Sequence, residues 1–407
     1  MDQLERALTD DSFFQDPHTV LHQLRQEAPV YWSDGWGVWV LTGYDDVVST
    51  LKNHADFVNF GRVTHLIRQL PDEAAEAKNA LLFHYETGLA HTDPPIHTRL
   101  RGLLNRAFTP RMVAHWSGRI ESVVDDLISQ LRDKDRFDLL QDFAYPLPAT
   151  IIGEMLGVPS SDVHLFQNWA LAINQLFEKG GRMTVQSAEN AYKNLRHMRA
   201  YIGEMVERRK KNPTDDVVGN MVKIEQAGEK LTLDELVSTI VTFFVAGHDT
   251  TTNLITNGIF LLMHNRDALA ELYANPDLTS KAVEETLRLE PSVPRMWRIA
   301  SRDIEIGGQS IQAGQMVFPM LSAANRDPNY FPEPDRFLLN RKNMKHVAFG
   351  FGIHYCIGAP LARLEGEIAL RKLIAAFPQM QLDGTPRWTH DIAIRRLEEL
   401  MLTPELG

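Results

Sequence analysis

Phe349-Gly350-Phe351-Gly352-Ile353-His354-Tyr355-Cys356-Ile357-Gly358 is the stretch that decides how this chain folds. Cys356 is the only cysteine among 407 residues, so its thiol has no internal disulfide partner. Glycines on both sides let backbone N–H groups crowd the sulfur. An apolar, helix-like run follows at once: Leu361, Leu364, Ile368 and Leu370 to Ile374. The sulfur is therefore expected at a helix N-terminus, where backbone dipoles stabilise an anion and favour thiolate over thiol. A lone cysteine is more often a small buried apolar residue. Here the glycine spacing, the preceding His354 and the following helix favour a thiolate that ligates a metal.

The bulk composition narrows the class. No Gly/Ser-rich or Pro-rich linker divides the chain, and no internal repeat is visible. One large, mostly helical domain over residues 1–407 is expected, with ample sequence for a core. The net charge of −11 argues against a nucleic-acid partner. Met1-Asp2-Gln3-Leu4-Glu5-Arg6 lacks the basic and apolar regions of a signal peptide. The longest apolar candidate for a membrane span, Leu236 to Ala246, is short and broken by Ser238, Thr239 and Thr242. The expectation is a chain with no membrane anchor, and a single reduced thiol fits a cytoplasmic home.

Residues 11–28 read as a short helix. Val30-Tyr31-Trp32 and Trp36-Gly37-Val38-Trp39-Val40 flank Ser33-Asp34-Gly35, a hairpin signal centred on Asp-Gly. Residues 57–90 read as irregular chain, mixing Phe57, Phe60, Leu66, Ile67, Leu81, Leu82 and Phe83 with the polar stretch Pro71 to Lys78. Long loops of this kind are usually functional. Long helices are expected over 96–280, with Glu207-Arg208-Arg209-Lys210-Lys211 before Asn212-Pro213 as a helix end. Asp303 to Gly308 and Met316-Val317-Phe318 alternate around glycines and suggest a second small sheet. Residues 236–260 form a long apolar helix interrupted by Ala246-Gly247-His248-Asp249-Thr250-Thr251-Thr252. Glycine inside a helix costs roughly 1 kcal/mol against alanine, and threonine hydroxyls that bond back to carbonyls bend helices. A weak, bent turn carrying an acid and an alcohol calls for a functional reason.

The cysteine segment resembles the haem-binding signature of the cytochrome P450 superfamily: Phe349, Gly352, His354, Cys356 and Gly358 fill its positions. The resemblance spans nearly the whole chain and weakens beyond about residue 380. It implies a mainly α fold of the soluble bacterial kind, a large helical body with a minor β-region. A b-type haem is then buried between a kinked central helix and the cysteine loop, with Cys356 as the axial ligand of iron. Thiolate ligation pushes electron density onto the iron and favours O–O cleavage. Ala246 to Thr250 is similar to the family's oxygen-activation motif. That implies space for dioxygen at Gly247, a hydrogen bond from Thr250 and proton relay by Asp249, a case of positioned acid catalysis. Glu285-Thr286-Leu287-Arg288 resembles the Glu-x-x-Arg motif, a buried pair behind the haem. The Pro334-Asp335-Arg336-Phe337 match makes Arg336 its third member. By position, His97, Arg101, Arg298 and His354 resemble the residues that hold the haem propionates.

The implied function is a haem-thiolate monooxygenase that hydroxylates or epoxidises a lipophilic small molecule. The chain has no flavin or iron–sulfur segment, so two electrons come from a separate donor, a ferredoxin or flavodoxin with its reductase, and ultimately from NAD(P)H. Arg101, Arg341, Lys342, Lys345 and Arg363 are candidates for a docking patch for an acidic donor. Two other classes remain open: a peroxide-using or otherwise atypical haem-thiolate oxidase, against which Asp249 and Thr250 argue, and a haem gas sensor. Expected pocket liners are Leu66, Ile67 and Phe83, then Val241, Phe244 and Val245, then Val293, Met296 and Ile394. Arg295 is expected to meet a carboxylate or to face a propionate.

Overall fold

The computed structural model describes residues 3–177, 183–227 and 231–404. It is mostly helical and divides into two compact units. One comprises Met1–Val58, Ile120–Tyr145 and Thr250–Gly407; the other comprises Asn59–Arg119 and Pro146–Asp249. The division falls inside the longest helix, Leu233–His264, which the chain forms without a break.

The first unit carries the β-structure. Val30–Ser33 and Val38–Leu41 pair as an antiparallel hairpin, with Trp32 opposite Trp39. The left-handed residue of its turn is Gly37, at φ +64, so the chain reverses two residues later than Asp-Gly suggests. Met316–Pro319 runs parallel to Val38–Leu41 and antiparallel to Arg298–Ala300, which pairs in turn with Phe57–Val58. The expected pairing of the 303–308 and 316–318 segments is thus not made. Ile304–Ile306 pairs with Gln309–Ile311 around Gly307-Gly308, both at positive φ, while Met316–Pro319 enters the larger sheet. Leu41, Val47, Leu51, Phe57, Val317, Phe331 and Val347 form the core beneath that sheet.

The expected helix over 11–28 is two elements. Asp16 caps a second helix, Pro17–Glu27, by accepting from the His18 amide at 3.1 Å, and Pro17 starts it.

The second unit is a helical assembly. The segment expected to be irregular, 57–90, is largely helical: Thr64–Ile67 forms one turn and Ala75–Thr87 forms 13 residues of helix. Ala77, Leu81, His84 and Tyr85 recur at helical spacing and bury one face, a pattern the surrounding polar residues mask. Val185–Lys211 opens on a Thr184–Ser187 capping box and ends in four cations, as its charge pattern predicts.

One buried cluster fixes the segment that leads to the cysteine. Glu285 and Arg288 are both 0% exposed. Arg288 donates from Nε to Glu285 Oε2 at 2.7 Å and from Nη2 to Oε1 at 2.8 Å. The third member is Arg341, whose Nε reaches Glu285 Oε1 at 2.9 Å. Arg336 does not occupy that place: its side chain is exposed and pairs with Glu333. It turns its carbonyl inward, where Arg288 Nη2 donates at 2.9 Å and Arg341 Nη2 at 3.0 Å. Removing one partner of such a cluster strands a buried charge, which costs about 3–5 kcal/mol. Glu285→Gln and Arg341→Ala should therefore each lower unfolding stability by several kcal/mol in denaturant titrations. Arg336→Ala should change it by less than about 0.5 kcal/mol. Equal losses in Arg336→Ala and Arg341→Ala would reverse the assignment.

Candidate active site

The cysteine loop is built from local hydrogen bonds and two left-handed glycines. Gly350 N donates to Val347 O at 2.8 Å, Tyr355 N to Gly352 O at 3.1 Å, and Cys356 N to Phe349 O at 2.9 Å. Gly352 has φ +73, and a Cβ there would lie 2.7 Å from the Leu51 carbonyl oxygen, so no side chain fits. Gly358 caps the Ala359–Ala376 helix, with Pro360 in its first turn. A Cβ at Gly358 would stand 3.8 Å from Cys356 Sγ. The half-buried sulfur thus sits three residues before the first residue of an 18-residue helix, as the sequence implies.

A charged clamp holds this loop. Arg363 donates to Glu284 at 2.6 and 3.2 Å and to Tyr355 Oη at 3.3 Å. Its guanidinium lies 4.6 Å from the Phe349 ring centroid. His346 Nε2 is 3.3 Å from Glu284. Burial raises the Glu284 pKa, but hydrogen bonds and charge from His346 and Arg363 outweigh it and hold the carboxyl down, at about 2. The clamp therefore contributes stability above the ordinary carboxylate range and loses it as pH falls from about 4.5 toward 2. Arg341 and Arg363 are thus committed within the fold, which removes them from the expected docking patch; Lys342 and Lys345 are exposed.

The central helix presents two kinds of face. Successive residues turn by 100°. Val241, Phe244, His248 and Thr251 lie on one arc and are buried. Phe244 packs on Phe166 at 5.1 Å between centroids. Thr242, Phe243, Ala246, Gly247 and Thr250 lie on the other arc and are exposed or half-buried. Val241 and Phe244 are therefore packing residues, and their assignment as pocket liners is corrected; Ile67, at 0% exposure, is corrected likewise. Thr242, Phe243 and Ala246 share this arc with Gly247 and Thr250, a phase relation readable from the sequence. Packing does not demand glycine at 247, because a Cβ there would make only ordinary contact with Ile152, at 3.5 Å. Back-bonding threonines occur at Thr242 and Thr256, at either side of the motif. The Thr252 hydroxyl leaves the helix for the Ala144 carbonyl at 3.0 Å.

Asp249 is 4% exposed. Its carboxylate accepts from Asn174 Nδ2 at 2.5 Å and lies 3.2 Å from His248 Nδ1. The Thr250 carbonyl accepts from Ser292 Oγ at 2.7 Å. No local sequence pattern points to Asn174, which lies 75 residues away in the chain.

The propionate candidates are placed as follows. His97 is 2% exposed and Arg101 half-buried, one turn apart on the Ile96–Ala107 helix. Arg99, on the other side of that helix, is occupied by Glu235 at 2.5 and 3.2 Å. Arg298, 2% exposed, lies on a strand and donates to the Trp297 carbonyl at 2.8 Å. His354 is half-buried in the cysteine loop. Of the remaining pocket candidates, Leu66, Val245, Val293 and Met296 are half-buried. Phe83 is 47% exposed beneath the Arg199 guanidinium. Ile394 and Arg295 line a separate cavity.

These residues fit a haem. A sulfur donor stands on a glycine-lined loop, small residues such as Ala246 and Gly247 lie on the less buried arc of the central helix, and His97 and Arg298 are buried groups of the kind that bind carboxylates. No cluster of three or more His, Cys, Asp or Glu side chains able to hold a bare metal ion occurs among the described residues. No helix among them is long and apolar enough to cross a membrane.

The family model "Cytochrome P450" matches residues 14–401. A putative cytochrome P450, YjiB of Bacillus subtilis, is 36% identical over 382 residues, covering 93% of this chain and 92% of that protein. The structure of P450BioI in complex with a hexadec-9Z-enoic acid ligated acyl carrier protein matches with a TM-score of 0.89 at 33% identity, over 97% of this chain and 100% of that one. That of CYP109E1 from Bacillus megaterium in complex with testosterone matches with a TM-score of 0.88 at 29% identity, over 98% and 100%. The thiolate loop, the central helix and these matches agree: the chain belongs to the cytochrome P450 family of haem-thiolate monooxygenases.

Proposed function

We propose that this monooxygenase hydroxylates or epoxidises a lipophilic small molecule, and that the Cys356 sulfur would hold its haem iron. The observation that carries the reading is the cysteine loop: a half-buried sulfur, fixed through its own amide to Phe349 O, at the head of a helix. When bound, the haem activates dioxygen, so that one oxygen atom enters the substrate and the other leaves as water.

The chain's own residues then have distinct tasks. His97, Arg101, Arg298 and His354 provide charge and N–H donors for the two carboxylates of the cofactor. Gly247 keeps the helix face low. Thr250 holds a proton donor at that face. Asp249, oriented by Asn174, receives protons and passes them on. The buried Asp249 and its neighbour Thr250 favour a dioxygen user over a peroxide user or a sensor. The two compact units act as one haem domain, a reading supported by the unbroken Leu233–His264 helix and by the extent of the family match.

Electrons come from NAD(P)H through a reductase and a ferredoxin or flavodoxin, and the exposed Lys342 and Lys345 suit an acidic donor. The protein works in the cytoplasm. The fatty-acyl and steroid ligands of the two solved relatives support a lipophilic substrate.

Three measurements test this. The reduced, carbon-monoxide-bound protein should show the red-shifted Soret band of thiolate ligation, and Cys356→His should abolish it; a histidine-type spectrum from the intact protein would sink the assignment. Thr250→Ala should bind substrate normally and still consume NAD(P)H, while product falls about tenfold or more and hydrogen peroxide rises. Full coupling in that variant would place the proton donor elsewhere. Ala246→Leu should leave stability within about 0.5 kcal/mol but alter the set of ligands that shift the Soret band. Phe244→Ala should do the opposite, costing about 3–5 kcal/mol in unfolding with ligand preference retained.

A further inference from the structure

A cavity in the first unit includes in its lining no residue of the cysteine loop or of the Leu233–His264 helix. Its walls include Phe13, Leu21, Arg295, Ser322, Asp391 and Arg395, it opens to solvent on one side, and its interior has room for a small guest of about water size. Arg295 is 4% exposed, and its Nε and Nη1 are buried without a hydrogen-bond acceptor. The Ser322 hydroxyl, on a residue 2% exposed, is in the same condition. The Arg295 guanidinium rests 5.0 Å from the Trp36 ring and 5.9 Å from the Phe13 ring, faces that attract a cation but do not satisfy its N–H groups in their own plane.

The neighbouring charges are already engaged. Arg395 donates from Nε to Glu290 Oε2 at 3.1 Å, stacks on Trp388 at 3.6 Å and bonds the Phe14 and Gln15 carbonyls. Glu290 also accepts from His18 at 2.7 Å and Arg326 at 3.2 Å, and Arg326 reaches Asp335 at 2.9 Å. Asp391 attracts Arg295 electrostatically, but its Oδ1 accepts the amides of Ala393 at 2.7 Å and Ile394 at 3.2 Å. Burial pulls the Arg295 pKa down to about 9, so the group stays charged at neutral pH. A buried cation with open donors, beside an open hydroxyl in a cavity, is an incomplete polar cluster.

We infer that the cavity is a binding site for a compact monoanion, chloride or a short carboxylate, held by Arg295 Nε and Nη1 and by Ser322 Oγ. The Asp391 carboxylate on the wall disfavours a doubly charged guest. The anion would tie Arg295 to Ser322 on the short Leu321–Ala324 helix. The site uses none of the residues assigned to oxygen chemistry, so it stands independently of that assignment.

Crystals of the holoprotein grown without halide and soaked in bromide provide the direct test. An anomalous peak should appear against Arg295 and Ser322, and should vanish in Arg295→Met. In solution, replacing gluconate by chloride at constant ionic strength should raise Tm saturably, by about 1–3 °C. Arg295→Met should remove that rise, and Ser322→Ala should weaken apparent affinity about fivefold. Chloride-35 NMR line broadening that acetate reverses would extend the site to carboxylates; reversal by bromide alone would restrict it to halides. Only water at the cavity under saturating bromide would overturn the inference, as would a Tm rise unchanged in Arg295→Met. Should Arg295→Met fail to fold, bromide occupancy in the unmutated crystals decides alone.

Discussion

A carboxylate with no exposed surface holds together the part of this chain that has least regular structure. Glu285 accepts from Arg288, from Arg341 and from the Leu338 amide. Satisfied in this way, the two guanidiniums gather carbonyls from Asn325, Pro332, Glu333, Pro334 and Arg336. Desolvating three charges is expensive, and the cluster survives because nearly every donor and acceptor is used. Its value is positional. Asn325 Oδ1 then receives the Val347 amide, and the Val347 carbonyl receives the Gly350 amide. A continuous series of hydrogen bonds runs from Glu285 to the loop that aims Cys356.

The second anchor acts on the same loop from the helix that follows it. Arg363 projects from that helix to Glu284 and covers the ring of Phe349. Glu284 and Glu285 are consecutive, so one helix supplies both carboxylates, one to the lead-in segment and one to the loop's far side. Both interactions fix the backbone that carries Cys356.

The sequence was most legible where chemistry demands particular residues at fixed spacing. The cysteine loop, the Glu285–Arg288 pair and the central helix all follow from short patterns. It was least legible where identity depends on how a loop turns. Arg336 and Arg341 are both arginines in one irregular segment, and only the path of the backbone decides which side chain points inward. The 57–90 region misled for a different reason. Its helical face consists of Ala77, Leu81, His84 and Tyr85, only part of which is strongly apolar. On the central helix, hydrophobicity alone could not separate Val241 and Phe244 from Phe243 and Ala246, because apolar residues occur on both arcs.

That two-faced helix has a consequence for how such a protein diversifies. The arc that holds the fold, with Phe244 against Phe166, is separate from the arc with Thr242, Phe243 and Ala246. Substitutions at Thr242, Phe243 and Ala246 draw little on the stability reserve, so these positions can vary without compensating changes elsewhere, whereas a change at Phe244 spends that reserve directly.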